Sequence, residues 1–365
     1  MRATFSRRPG RYHRLTTPAG HASCDAQRWN RPAVEFVCRL ACIEPAQPHQ
    51  TMVGYIYPLK KVRRNREDDM RVIASKVLGS LAAGLFFMSA AAMAADPPKE
   101  MKLYVFSSGA LNLDKSIIQN GSSGKVQIPV GFFLIRHPKG DVLFDCGNND
   151  RIIKDPDYWG PFVKALDPGR DPDIAIDAQL AKINVKPSDI KYVVLGHFHV
   201  DHAGNIGKFL DSTFVFQRDE IRNAFWPAPG YATFFISDDF AMLRNSVGGG
   251  MPAKYKTIEL DGDLDLFGDN SVFIHRTVSH TPGSQILVVR LPKTGTVVLT
   301  SDAVYLQENL DKNILPSIGS VYDPVGMLDA YAWVKRVRDT ESADIIYAHD
   351  PDTFKAHKHS PEFYE

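Results

Sequence analysis

From about Asp96 onward, short apolar runs alternate with longer stretches whose apolar residues recur every three or four positions. Lys102–Phe106 (KLYVF) reads as a strand, and Val130–Arg136 (VGFFLIR) with Val142–Phe144 reads as a strand pair around the turn Pro138-Lys139-Gly140. Ile174, Ile176, Leu180 and Ile183 share one face of a helix spanning Ile174–Ile183. Lys191–Leu195 (KYVVL) has the unbroken apolar character of a buried strand. Val215 and Phe216 mark another strand, followed by a helix over Arg218–Phe225. Val272–Val278, Ile286–Leu291 and Val297–Leu299 are further strands, Val325–Val337 is helical, and Ile345–Ala348 is a last strand. Residues 222–252 break the rhythm. Their aromatics, Gly and Pro suggest an irregular insertion able to cover a pocket. There is no repeat at solenoid periods. Strands and helices interleave through both halves, which predicts one α/β layered domain.

The pattern ahead of this domain is different. Residues 70–94 (MRVIASKVLGSLAAGLFFMSAAAMA) carry Arg71 and Lys76, then an apolar run Val77–Ala92, then the small-x-small signal Ala92-Met93-Ala94 before Ala95. This reads as a secretory signal peptide cleaved near Ala94. The apolar run falls short of the roughly 20 residues that span a bilayer, so no stable membrane anchor is expected. The implied location is periplasmic or secreted. Residues 1–69 are basic, with 13 Lys/Arg against 6 Asp/Glu, and show no sustained periodicity. They read either as an over-extended reading frame, with Met70 the true start, or as a disordered extension.

Removing this leader changes the charge picture. The whole chain has a formal charge of +1, but residues 95–365 hold 28 Lys/Arg and 36 Asp/Glu, a net of −8. An acidic body argues against binding nucleic acid. Cys24, Cys38 and Cys42 fall early and only Cys146 falls in the body. A disulfide framework and a thiolate zinc site are thereby excluded there.

The chemistry concentrates in Leu195-Gly196-His197-Phe198-His199-Val200-Asp201-His202-Ala203-Gly204, directly after a strand. In extended chain, His197, His199 and Asp201 would point to one side and Phe198 and Val200 to the other. A following helix would swing His202 back beside Asp201. Four imidazole and carboxylate ligands within six residues suit Zn²⁺ and similar divalent ions. Three more such residues sit at strand ends: His280 in Ser279-His280-Thr281-Pro282-Gly283, Asp302 in Thr300-Ser301-Asp302-Ala303, and His349 in Ala348-His349-Asp350. Strand ends are where a site on one rim of a sheet needs its ligands.

These motifs resemble the metallo-β-lactamase superfamily, marked by HxHxDH, and within it the N-acyl-homoserine lactonases, the quorum-quenching lactonases. The resemblance runs through Lys102-Leu103-Tyr104, Pro129–Ile135, Phe144-Asp145-Cys146-Gly147, the His197 motif, His280-Thr281-Pro282-Gly283, Ser301–Tyr305, His349–Asp352 and Pro361–Tyr364. It implies an αββα sandwich and two divalent metal ions, Zn²⁺ being the expected identity. His197, His199 and His280 would hold one ion, and Asp201, His202 and His349 the other, with Asp302 bridging. Tyr305 matches a tyrosine that reaches the substrate carbonyl, and Asp145 an aspartate that steadies the His197 loop. The chain departs from the family at Ser284, where a second histidine is common. It also departs at Gly196, where Ser is common, at Cys146, and at Val200, where a bulkier residue is common.

The implied reaction is lactone ring opening by a metal-bridging hydroxide, with Tyr305 hydrogen-bonding the carbonyl oxygen and Asp201 passing a proton to the leaving alkoxide. The expected partner is a small-molecule lactone, an N-acyl-homoserine lactone first. A pyridoxolactone-type ring or an organophosphate or other ester is the alternative. Phe132, Phe133, Trp226, Phe234 and Phe235 are candidates to line an acyl pocket, or ordinary core aromatics. His137, His275, His357 and His359 read as structural or solvated.

Overall fold

In the computed structural model, which describes residues 96–227, 234–246 and 255–365, strands gather into two sheets. The leader and the upstream extension read in residues 1–94 lie outside the described residues. The first sheet has the order β1 (Lys102–Asp114), β2 (Lys125–Arg136), β3 (Val142–Phe144), β4 (Tyr192–Val194), β5 (Thr213–Gln217) and β6 (Lys256–Leu260). Its first three strands are antiparallel and its last four parallel. The second sheet is β11 (Asp344–Ile346), β10 (Gly295–Leu299), β9 (Gln285–Leu291), β8 (Val272–Arg276) and β7 (Leu264–Asp265). Only its β10–β11 pair is parallel.

Side-chain alternation builds three layers of core. Leu103, Val105, Phe133, Phe144, Val194 and Val215 meet Ile274, Leu287, Val289 and Leu299 between the sheets. Their neighbours Tyr104, Phe106, Phe132, Leu134, Leu143 and Val193 face outward. There they pack on Ile176 and Leu180 of helix α2 (Ile176–Ala181), which follows the short helix α1 (Phe162–Leu166), and on Ile221 and Ala224 of helix α3 (Arg218–Phe225). On the far side, Ile286, Val288, Val298 and Ile345 pack on Met327, Tyr331 and Val334 of the long helix Pro324–Glu341. Both faces of each central strand are therefore buried, which is why the strands read as unbroken apolar runs. Full burial stabilises each large apolar side chain by about 1.5–3 kcal/mol. Helices outside two face-to-face sheets make the expected αββα sandwich.

The long helix starts where Asp323 accepts hydrogen bonds from Val325 N and Gly326 N, with Pro324 in the first turn. Among the described residues, no helix is long and apolar enough to cross a membrane. Four elements differ from the pattern-based expectation. β1 runs on to Asp114 through an irregularity between Ser107 and Ala110, where the polar residues had hidden it. The helix expected over Ile174–Ile183 is a 3₁₀ turn (Pro172–Ile174) and then α2, because Ala175 between them is extended (ψ 133°). β6 and β7 were not apparent, since each is only half-buried at a sheet edge.

Candidate metal centre

β4 is only three residues long, and the chain leaves it as a loop instead of continuing as strand and then helix. His202 N and Ala203 N both donate to the His199 carbonyl at 3.0 Å, and this tight turn brings His202 beside Asp201. Phe198 buries against Phe216 and Phe240, while Val200 joins the core around the other sheet. The two apolar residues thus anchor the loop on two sides. His280 lies in the loop after β8, Asp302 in a 3₁₀ turn (Ser301–Ala303) after β10, and His349 in the loop after β11. All seven expected ligand residues come together, and all seven are buried.

Three groups could each hold an ion: His197, His199 and His280; His197, His202 and Asp302; and Asp201, His202 and His349. Asp302 stands between the sides. Its Oδ2 lies 3.7 Å from His197 Nε2 and 3.4 Å from His280 Nε2. Its Oδ1 lies 3.1 Å from His202 Nε2 and 2.8 Å from His349 Nε2. Asp201 Oδ2 lies 3.6 Å from His202 Nε2 and 3.5 Å from His349 Nε2.

The ring orientations follow from acceptors behind the site. His202 Nδ1 is 2.8 Å from Asp145 Oδ2, His280 Nδ1 is 2.8 Å from the Ser320 carbonyl, and His349 Nδ1 is 2.8 Å from the Pro129 carbonyl. Carboxylate and carbonyl oxygens only accept, so each ring donates from Nδ1 and turns Nε2 toward the centre. Asp145 also accepts from Gly196 N at 2.6 Å and from Ser301 Oγ at 3.1 Å. A Cβ on residue 196 would stand 2.3 Å from Ser301 Oγ. Gly196 therefore makes room for the hydroxyl arriving from Ser301.

The donor set fits a divalent cation. His197 Nε2 and His199 Nε2 are buried with no hydrogen-bond partner, and His280 Nε2 faces His199 Nδ1 at 2.8 Å, nitrogen to nitrogen. Separations of 2.8–3.7 Å around Asp302 are those of atoms sharing an ion at about 2.0–2.2 Å. Burial, and then neighbouring histidines, hold His197 and His199 well below the ordinary histidine value. Burial also opposes charge on His202, yet the carboxylates of Asp302, Asp201 and Asp145 outweigh it and raise that ring. The same carboxylate field that stabilises an imidazolium stabilises a metal ion.

Tyr305 is buried beside the centre, its hydroxyl 3.1 Å from His280 Nδ1, and it lines the same cavity as His199, Asp201, Asp302 and His349. Of the five aromatics singled out for that cavity, only Phe234 lines it, while Phe235 packs on the His199 ring with centroids 4.7 Å apart. Phe132 and Phe133 are core residues, and Trp226 is exposed away from the cavity. The lining is instead aliphatic: Leu111, Leu113, Ile118, Ile128 and Leu166. Those residues lie on β1, β2 and the helix Phe162–Leu166, or just after β1, and are far from the motif in sequence. The described part of the 222–252 insertion reaches the site, where the Phe234 carbonyl accepts from Val200 N at 2.9 Å. The four other histidines stay structural: His137 stacks on Phe267, His275 on Trp333, His357 meets the Tyr364 hydroxyl, and His359 the Phe354 carbonyl.

Comparison with known proteins agrees with this architecture. The model of the metallo-beta-lactamase superfamily matches residues 129–349. The chain belongs to the metallo-beta-lactamase superfamily, whose membership together with these clusters marks a divalent-metal site. Among curated proteins it is similar to the N-acyl homoserine lactonase AttM of Azorhizobium caulinodans, 32% identical over 73% of this chain and 99% of that protein. It is likewise similar to AttM of Rhizobium radiobacter, 32% identical with 73% and 99% covered. The N-acyl homoserine lactonase AiiA of Bacillus thuringiensis subsp. kurstaki is 28% identical, with 72% and 98% covered. A solved N-acyl homoserine lactone hydrolase, with the product N-hexanoyl-L-homoserine at its catalytic metal center, superposes with a TM-score of 0.61 at 26% identity. That match covers 74% of this chain and 100% of the other.

Proposed function

We propose that this protein is a dinuclear metal-dependent lactonase that opens the ring of N-acyl-homoserine lactones. The observation that supports it best is the placement of Asp302, with one carboxylate oxygen toward His197 and His280 and the other toward His202 and His349. In this reading His197, His199 and His280 hold one ion, Asp201, His202 and His349 the other, and Asp302 both. Two divalent ions there, Zn²⁺ being the expected identity, supply Lewis acidity that lowers the pKa of water toward neutrality and polarises an ester carbonyl.

The chain's own residues do the remaining work. Tyr305, on the cavity wall, donates a hydrogen bond to the lactone carbonyl oxygen as negative charge develops there. Asp201, its side chain on the same wall, relays a proton to the departing ring oxygen. The leaving alkoxide stays tethered, so the single product is an N-acyl-homoserine. Leu111, Leu113, Ile118, Ile128 and Leu166, with Phe234, give the cavity an apolar wall against which an alkyl chain can lie. That lining favours a fatty acyl chain over the polar ring of a pyridoxolactone. The similar proteins named as N-acyl homoserine lactonases support the same substrate class.

The catalytic domain starts near Ala95, and the leader in residues 70–94 directs it to the periplasm or beyond. Mass spectrometry of the native N-terminus tests this, since a peptide from residues 1–60 would refute it. The function is tested by acid release from short- and long-chain acyl-homoserine lactones, pyridoxolactone and paraoxon. Turnover confined to paraoxon would overturn the lactonase assignment.

A further inference from the structure

Glu220, in the first turn of α3, is wholly buried and belongs to no expected ligand set. Its two oxygens reach two different loops. Oε1 accepts from Phe198 N at 3.0 Å, and Oε2 accepts from Gly283 N at 3.2 Å. The Thr281 side chain hydrogen-bonds the same carboxylate. Phe198 sits between His197 and His199, and Gly283 lies three residues after His280. These three histidines form one of the candidate metal groups. The second loop approaches α3 so closely that a Cβ on residue 283 would lie 2.3 Å from Glu220 N and 2.4 Å from Glu220 Cβ. Burial pushes the Glu220 carboxyl up to about 7, against the pull of these donors, so the residue is held here at a cost.

We propose that Glu220 is a positioning residue that fastens the His197–His199 loop to the His280 loop and thereby sets the metal affinity of that histidine group, apart from the Asp201–His202–His349 group. The inference rests on the two-ion reading above. A carboxylate suits the task because it only accepts, and both loops present N–H donors. An amide offers one oxygen, so its NH₂ would confront one of the two N–H groups. Aspartate keeps the charge but is one methylene too short to span both loops.

The test is a Zn²⁺ titration of the metal-free full chain against a chromophoric chelator, for wild type, Glu220→Gln and Glu220→Asp. Co²⁺ spectra and thermal melting of the metal-free proteins accompany it. Wild type is expected to take two ions. Both variants are expected to weaken one site by about 10–100-fold, the range for groups that orient metal ligands, with the other site near its wild-type Kd and the Co²⁺ bands of one site altered. Equal weakening of both sites, or two sites unchanged in either variant, overturns the positioning role and leaves the lactonase reading standing. If Glu220→Gln does not fold, Glu220→Asp decides on the same criteria. A wild type that binds no metal overturns the lactonase reading itself.

Discussion

Asp145→Asn is a change of one atom, and its effect can be worked from the contacts. Asp145 Oδ1 accepts from Gly196 N, while Oδ2 accepts from His202 Nδ1 and Ser301 Oγ. An asparagine must choose. With its oxygen on Gly196, its NH₂ faces His202 Nδ1, which must then accept, leaving the proton on Nε2 where a metal would bind. With its oxygen on His202, its NH₂ confronts the Gly196 N–H, and a buried unsatisfied donor costs about 1–3 kcal/mol. Either way the His202 side of the centre suffers. Loss of such an orienting partner lowers metal affinity about 10–100-fold, or about 1.4–2.7 kcal/mol. The expected result is a weaker second ion in chelator competition, lower kcat/KM at limiting metal, and partial recovery at high metal. Unchanged affinity at both sites together with unchanged kcat/KM would refute the reasoning that Asp145 fixes the His202 tautomer.

Three further outcomes follow from the same geometry. Gly196→Ala drives a Cβ to 2.3 Å from Ser301 Oγ and is expected to cost about 1–3 kcal/mol in denaturant unfolding. Adding Ser301→Gly removes the obstructing atoms at a residue with φ +44° and is expected to return most of that stability. Tyr305→Phe is expected to lower kcat about 100-fold with metal content unchanged, the scale for removing one donor to a developing oxyanion; full kcat with metal bound would deny it that role. Burial pushes the Asp239 carboxyl up to about 7 although Tyr158 and Asn149 donate to it. Its folded pKa is raised above its unfolded one, near 3.9. Its contribution to stability is therefore full below about pH 4 and is lost as pH rises to about 7, at up to about 1.4 kcal/mol per pH unit. The stability of Asp239→Asn relative to wild type should thus rise between pH 4 and pH 7 and level off above, and a flat difference would count against that environment.

Much of this centre could be read from the chain because its ligands cluster locally or stand next to strands. His197, His199, Asp201 and His202 lie within six residues, and His280, Asp302 and His349 each follow an apolar run, so both motif and place were visible. The layered fold was legible for the same reason, as strands buried on both faces leave uninterrupted apolar runs. What failed to show was set by partners distant in sequence. Leu111 and Ile128 look like ordinary strand residues until the fold turns them to the metal centre. Phe132 and Phe133 look suited to an acyl pocket but fill the core on the two faces of the first sheet. Glu220 sits in a helix start where an acidic residue has a bland explanation in the helix dipole. Its contacts with Phe198 and Gly283 cross 22 and 63 residues. Only Gly196 carried a hint, as a missing side chain directly before the first histidine of the motif.

In the proposed function these seven residues would hold two metal ions, and the centre would open an acyl-homoserine lactone. The most direct measurement is the rate of acid release from N-hexanoyl-homoserine lactone by the full chain, followed as metal is stripped and then restored ion by ion, with bound metal counted on the same samples. The expected result is ring opening to a product heavier by one water, lost on stripping and regained as the second ion binds, and absent in His199→Ala. Full metal loading with no ring opening, or ring opening that survives either metal removal or His199→Ala, would contradict it.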